Sequence, residues 1–157
     1  MKGIPFTGVQ LAVRAGVAGG LATWAAQLLG MEHPIYAFIG AVIVTDLSPA
    51  QSQSLGLRRI LATAVGSVCG AALSQLLGPG PGVTGASVVF AMLLGYLLGA
   101  GDAAKVAGYI CGIVMLDHAA EPWLYSAQRF LETVLGVSVA WAISYVPKLI
   151  GARAKKP

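Results

Sequence analysis

Charge is what this chain lacks. Charged residues fill only 10% of its 157 positions, against roughly a quarter in soluble domains, which excludes an ordinary water-facing surface. Cysteine is almost missing as well. Cys69 and Cys111 both fall in apolar stretches, act as small apolar side chains and imply no disulfide framework. The chain has no G-x-x-x-x-G-K-[ST] phosphate loop, no His/Cys/Glu metal spacing and no Ser, His and Asp set at a common depth. These absences exclude ATP hydrolysis within the chain and point away from an enzyme, a cofactor or a bound metal.

What is present is apolar. Hydrophobic residues make up 57% and the mean hydropathy is +0.78, the composition of a chain solvated by lipid. At about 20 residues per helical pass, six spans with tight turns nearly use up the length. The expectation is therefore one transmembrane domain over residues 1–157, all-α and multi-pass, in a plasma (inner) membrane, with no soluble domain. A net charge of +4 and a pI near 9.3 would suggest nucleic acid in a soluble protein. Here the basic residues sit at segment ends, where they set topology, and no nucleic-acid partner is expected.

Apolar runs and breakers divide the chain into six segments. The first runs from about Gly8 to Leu29; Arg14 interrupts it and no clean small-x-small cleavage site follows, so it reads as a retained helix rather than a signal peptide. A short run from Ile35 to Leu47 follows the Met31-Glu32-His33-Pro34 turn. Ser48, Pro49 and Gln51 then spell a capping box that opens a helix through Arg58 and Arg59 to Leu77. Gly78-Pro79-Gly80-Pro81-Gly82 breaks it. The second half runs Val83–Ala100, Ala104 to about Leu116, and about Trp123 to Val146.

Each half is long, short, long, and Arg59-Ile-Leu-Ala-Thr63-Ala-Val-Gly66 returns as Arg129-Phe-Leu-Glu-Thr133-Val-Leu-Gly136 about seventy residues later. Three passes per half is odd, so two like halves (repeat one about 8–78, repeat two about 83–147) must insert in opposite directions, as inverted repeats do. With the N-terminus inside, Lys2, Arg58, Arg59, Lys105, Lys148, Arg153, Lys155 and Lys156 fall on the inner side. Glu32, His33, Asp117, His118 and Glu121 fall on the outer side, giving an N-in, C-in chain with a basic tail at 148–157. Arg129 alone breaks the pattern, as the counterpart of Arg59. Segments 2 and 5, about 13 residues each, are too short to cross about 30 Å as straight helices. Either they borrow flanking length or they are broken and mark a transport site.

Arg59 has a topological reading beside Arg58. Arg129 has none, and burying it unpaired at a helix centre costs roughly 2.5 to 3.5 kcal/mol. Glu132, three residues on, shares its face and offers a pair that still leaves donors for an anion. Thr63 and Thr133 lie one turn beyond the arginines, where threonine commonly bonds its own i−4 carbonyl. Secondary candidates are Arg14, expected to snorkel to the inner headgroups, and Asp46 and Asp117, which close the short segments as caps or coupling acids. His33 and His118, in outer turns without further ligands, are not expected to bind metal. Trp24, Trp123, Trp141, Tyr125 and Tyr145 read as interfacial belts. Glycine pairs Gly16/Gly20, Gly66/Gly70, Gly95/Gly99 and Gly108/Gly112 provide close helix contacts, one face of which suits a symmetric dimer.

The run His33-Pro34-Ile35-Tyr36-Ala37-Phe38-Ile39-Gly40-Ala41, followed by Ser48-Pro49, Ser52, Gly56, Arg59, Thr63, Gly66 and Gly70, resembles the membrane domain of the fusaric acid resistance and aromatic acid exporter family, a superfamily that also takes in plant aluminium-activated malate transporters. Arg129, Glu132, Thr133 and Gly136 resemble that family's closing helix. The resemblance implies a homodimer of six-helix units moving organic or inorganic anions, with Arg59 and Arg129 lining the path. Ala62 departs from the glycine often found before the threonine, and only a short basic tail follows Val146 where larger members carry a cytoplasmic domain. The expectation is an anion channel or passive exporter with an arginine-lined path at a homodimer interface. The alternative is a non-transporting scaffold that recruits a partner through Lys148 to Lys156. A membrane enzyme is a distant third.

Overall fold

A computed structural model of the chain describes residues 5–146; the basic tail at 148–157 lies outside them. Six helices follow one another: α1 (Phe6–Leu28), α2 (Pro34–Val44), α3 (Pro49–Leu77), α4 (Pro81–Leu97), α5 (Ala104–Asp117) and α6 (Pro122–Ser144), with one 3₁₀ turn at Gly101–Ala103 ahead of α5. No strand occurs among the described residues. Proline opens four of the six at the first or second position, where its missing N–H costs nothing. Helices α1, α3 and α4 end beside glycines with positive φ, Gly30, Gly78 and Gly99, a conformation glycine adopts without a Cβ clash.

The capping box expected at Ser48 is not formed. Ser48 is the N-cap of α3 but makes no side-chain cap. Asp46 does this work: its Oδ1 accepts the Ser48 N–H at 3.0 Å, and its own N–H donates to Ser52 Oγ at 2.8 Å. An aspartate two residues earlier reaches the exposed amide by a tighter local turn, so Asp46 stands at the start of α3 rather than closing α2, whose C-cap is Thr45.

Size is sorted in reverse of a soluble core. The buried residues are mostly alanine, glycine, serine and threonine, while Trp24, Leu28, Leu57, Leu76, Phe90, Leu97 and Leu131 are exposed. Lipid tails accept large apolar side chains on the outside, and small residues let helix backbones approach within. Helix α3, with 29 residues, is the one described helix that by length and apolarity crosses a bilayer unaided. The short helices α2, of 11 residues, and α5, of 14, rise only about 16 and 21 Å.

Two clusters hold the bundle. One joins α1, α2 and α6 through Ala18, Ala22, Ala26, Ala37, Ala41 and Ile143; the other joins α3, α4 and α5 through Ala62, Cys69, Ala91, Ala107, Cys111 and Met115. The last helix of each half therefore packs against the other half's short helix. The contacts recur at one spacing: Gly66 of α3 meets the Ala107 backbone of α5, and Gly136 of α6 meets the Ala37 backbone of α2. Both glycines and both alanines are separated by the 70 positions that separate Arg59 from Arg129.

A Cβ on Gly66 would come 2.5 Å from the Ala107 carbonyl oxygen, and one on Gly136 would come closer still to that of Ala37, whereas Gly16 faces nothing within 4 Å. Gly66→Ala and Gly136→Ala should each destabilise the detergent-solubilised protein by about 1 to 3 kcal/mol. Gly16→Ala should leave the thermal midpoint of the monomer unchanged. Equal midpoints for all three variants would show that these crossings do not hold the bundle together.

Candidate functional site

Arg59 lies ten residues into α3, about 15 Å from its start, and Arg129 seven residues into α6, about 10 Å; neither is terminal. Their relative exposures are 4% and 2%. Among the described residues no carboxylate comes within 4.0 Å of either guanidinium, so the expected Arg129–Glu132 pair is not formed. Tyrosine takes that place. Arg59 Nη2 donates to the Tyr109 hydroxyl at 2.6 Å, and the Arg129 guanidinium carbon stands 3.0 Å from the ring centroid of Tyr36. The Tyr109 ring lies near both, 5.7 Å from Arg59 and 5.9 Å from Arg129. A tyrosine face attracts a desolvated cation by about 2 kcal/mol, less than the several kcal/mol that dehydration of an unpaired ion costs. Donors stay unsatisfied: Nε of Arg59, and Nε and Nη1 of Arg129, are buried without a partner.

The threonines diverge. Thr133 Oγ1 donates back to the Arg129 carbonyl at 3.0 Å, the i−4 bond expected of it, whereas Thr63 Oγ1 is fully buried with no partner. Glu132 turns outward, and its Oε1 accepts the His33 N–H at 2.8 Å.

Two cavities of similar position in the two halves flank this cluster. One, of about 360 Å³, is lined by Leu55, Arg58, Arg59, Asp102, Val106 and Tyr109. The other, of about 310 Å³, is lined by Glu32, His33, Asp117, His118, Tyr125 and Gln128. Seventy positions relate Leu55 to Tyr125, Arg58 to Gln128 and Asp102 to Glu32, so equivalent positions line both cavities with different chemistry. Between them lies a series of hydrogen bonds and ring contacts. Arg59 bonds Tyr109, Tyr109 adjoins Arg129, and Arg129 stacks on Tyr36. The Tyr125 hydroxyl donates to that of Tyr36 at 2.8 Å, and the Tyr125 ring stacks on His118 at 3.5 Å.

Several expectations are corrected. Arg14 does not snorkel: it is 4% exposed and donates to the Ser144 and Val146 carbonyls at 3.3 and 2.6 Å. It binds carbonyls that the end of α6 leaves unsatisfied, at the negative pole of that helix, and has no part in the cluster. Tyr125 is not an interfacial belt residue but is 4% exposed within the aromatic group. Trp141 is tied inward, its indole N–H donating to the Ser52 carbonyl at 3.0 Å. Asp117 lines the second cavity beside His118, away from the arginines. Sequence reasoning missed Tyr36 and Tyr109 as partners of the arginines. The available signal was position, since the two tyrosines lie on the short helices whose small faces pack on α6 and α3.

Large apolar side chains outside, small ones within and three buried arginines define an integral membrane protein rather than a soluble helical bundle. Residues 21–143 match the family described as fusaric acid resistance protein-like, and the chain belongs to that family. Its members are membrane proteins of small-molecule transport and export rather than enzymes. No curated protein and no solved structure matches the chain.

His118 caps the end of α5, outside the helical spans. Burial pushes its pKa below the ordinary 6.5, the nearby His33 adds to the shift, and Asp117 opposes it. Its stabilising contribution is then complete above pH 6.5 and is lost as pH falls through the depressed value. The thermal midpoint should drop across that window, and His118→Gln should remove this part of the drop. An unchanged profile in the variant would assign the acid sensitivity elsewhere.

Proposed function

We propose that the chain is an anion channel or passive exporter whose path runs inside each protomer, from the Arg58 cavity past Arg59, Tyr109, Arg129, Tyr36 and Tyr125 to the His33 cavity. The observation that carries this reading is the pair of nearly sealed guanidinium groups with three unpartnered nitrogens and no carboxylate in reach. A small anion supplies what the fold withholds, and guanidinium is suited to it because it stays charged and offers a planar fork of donors.

The recurrence of Gly66–Ala107 as Gly136–Ala37 supports two inverted repeats, which we place with the N-terminus and C-terminus inside. Under that topology the inner mouth carries Arg58 and Arg59, and the outer mouth carries Glu32, Asp117 and Glu121. Anions gather at the inner mouth and leave past acids that discourage return. An inside-negative potential drives them outward by about 2.3 kcal/mol per charge per 100 mV. In a homodimer each subunit carries its own path. The open pair Gly16 and Gly20 on α1, which meets nothing inside the chain, is the face we assign to a second copy in the plasma (inner) membrane.

Reconstituted in liposomes, the protein should pass anions selected from a small panel (chloride, nitrate, bicarbonate, an aromatic carboxylate). Arg59→Ala and Arg129→Ala should each cut that flux about tenfold or more, the effect of roughly 1.4 kcal/mol. Arg129→Lys should also lose flux, because a lysine does not lie flat on Tyr36. Wild-type flux in both alanine variants, with folding intact, would refute the path.

A further inference from the structure

Glu132 is a buried carboxyl group with no arginine or lysine in reach among the described residues; its one ionisable neighbour at pairing distance is His33. It is 1% exposed. Its Oε1 accepts a single hydrogen bond, from the His33 N–H at 2.8 Å, with His33 Nδ1 4.0 Å away. Its Oε2 and that Nδ1 are both buried and unbonded. An ionised carboxylate offers about four acceptor sites, and keeping it charged with one of them filled costs far more than keeping it neutral.

Glu132 is not sealed from the outer side. A cavity of about 300 Å³ lined by Gly30, Met31, Glu32, Gln128 and Glu132 reaches it from the α1–α2 turn, next to the His33 and His118 cavity. The titratable groups around it are Arg129 and Tyr125 on α6, Tyr36 on α2, Glu32 and His33 in the turn, and Asp117 and His118 at the end of α5. Helix α1 adds none in its outer half. Arg129 lies one helical turn away on the same face, its free donors directed elsewhere than the carboxylate.

We propose that Glu132 is a proton-binding site loaded from the outer cavity, and that its charge sets how readily Arg129 holds a transported anion. Ionised, the carboxylate cancels part of the Arg129 field and repels the anion, so the path conducts poorly. Protonated, it releases the full field of the guanidinium, and anion entry at Arg129 becomes favourable. The proton and the anion then bind with positive coupling, and by linkage each raises the affinity for the other. The inference rests on the anion path. It differs from the sequence reading of Glu132 as a partner of Arg129.

The test uses the full chain in liposomes with the outer pH stepped from about 7.5 to about 5.5, a range around the ordinary histidine value and above that of glutamate. Wild-type flux of the chosen anion should rise about fivefold or more, the lower end of ordinary coupling between two sites. Glu132→Gln, which keeps the acceptor for His33 N–H and mimics the neutral acid, should give high flux at both pH values. Glu132→Asp should retain a pH step. An unaltered step in Glu132→Gln would overturn the proposal. Infrared difference spectra over the same pH change read the site independently of flux: wild type should show the carbonyl band of a dehydrated carboxylic acid, and Glu132→Gln should lack it. A band without anion flux would remove the coupling, and with it the path reading, while leaving the proton site standing. Absence of the band from wild type would overturn the proton site itself.

Discussion

Two guanidinium groups, one from each half of the chain, are held by tyrosines instead of carboxylates, Arg129 on the Tyr36 ring and Arg59 by the Tyr109 hydroxyl, and the rest of the architecture arranges itself around them. A buried Arg–Glu pair would have been self-sufficient and inert. A tyrosine steadies each cation and leaves three of the guanidinium nitrogens without a partner. The small faces of α2 and α5 bring Tyr36 and Tyr109 to the arginines, because Gly136 and Gly66 let those short helices touch α6 and α3 backbone to backbone. Remove either glycine and the tyrosine that holds the arginine moves with its helix. The packing of the bundle and the electrostatics of the site are thus a single constraint.

The halves share a backbone plan and diverge in what they line it with. Where one cavity has Leu55, Arg58 and Asp102, the equivalent positions in the other have Tyr125, Gln128 and Glu32. Gln128 takes the position that Arg58 holds in the other half, and the neighbouring turns bring Glu32, His33, Asp117 and His118 to that cavity. The two cavities thereby differ in chemistry, with Arg58 and Arg59 beside Asp102 in one and Glu32, His33, Asp117 and His118 in the other.

Much of this fold was legible because its boundaries are chemical. The Gly-Pro-Gly-Pro-Gly break after Leu77, the prolines at Pro34, Pro49 and Pro122, and the turn at His33 place five of the six helices to within a few residues. The Arg-Thr-Gly recurrence marked the two residues on which the site is built. What could not be read was depth and partnership. Arg14 has the spacing of a snorkelling residue, and only the folded chain brings the end of α6 to it across more than a hundred positions. Tyr125 near a helix start looks like any belt aromatic until α2 and α5 close around it. Glu132, three residues from Arg129, has the spacing of an ion pair, but the His33 N–H turns it away. Local periodicity carries the helices; the site is made by contacts 50 to 99 residues apart.

The direct measurement is anomalous scattering from bromide in crystals of the full chain. A bromide peak within hydrogen-bonding reach of the Arg59 and Arg129 guanidinium groups, beside the Tyr109 ring, is the predicted result. Bromide ordered only at the protein surface, with both guanidinium groups closed against carboxylates or lipid headgroups, would contradict the account.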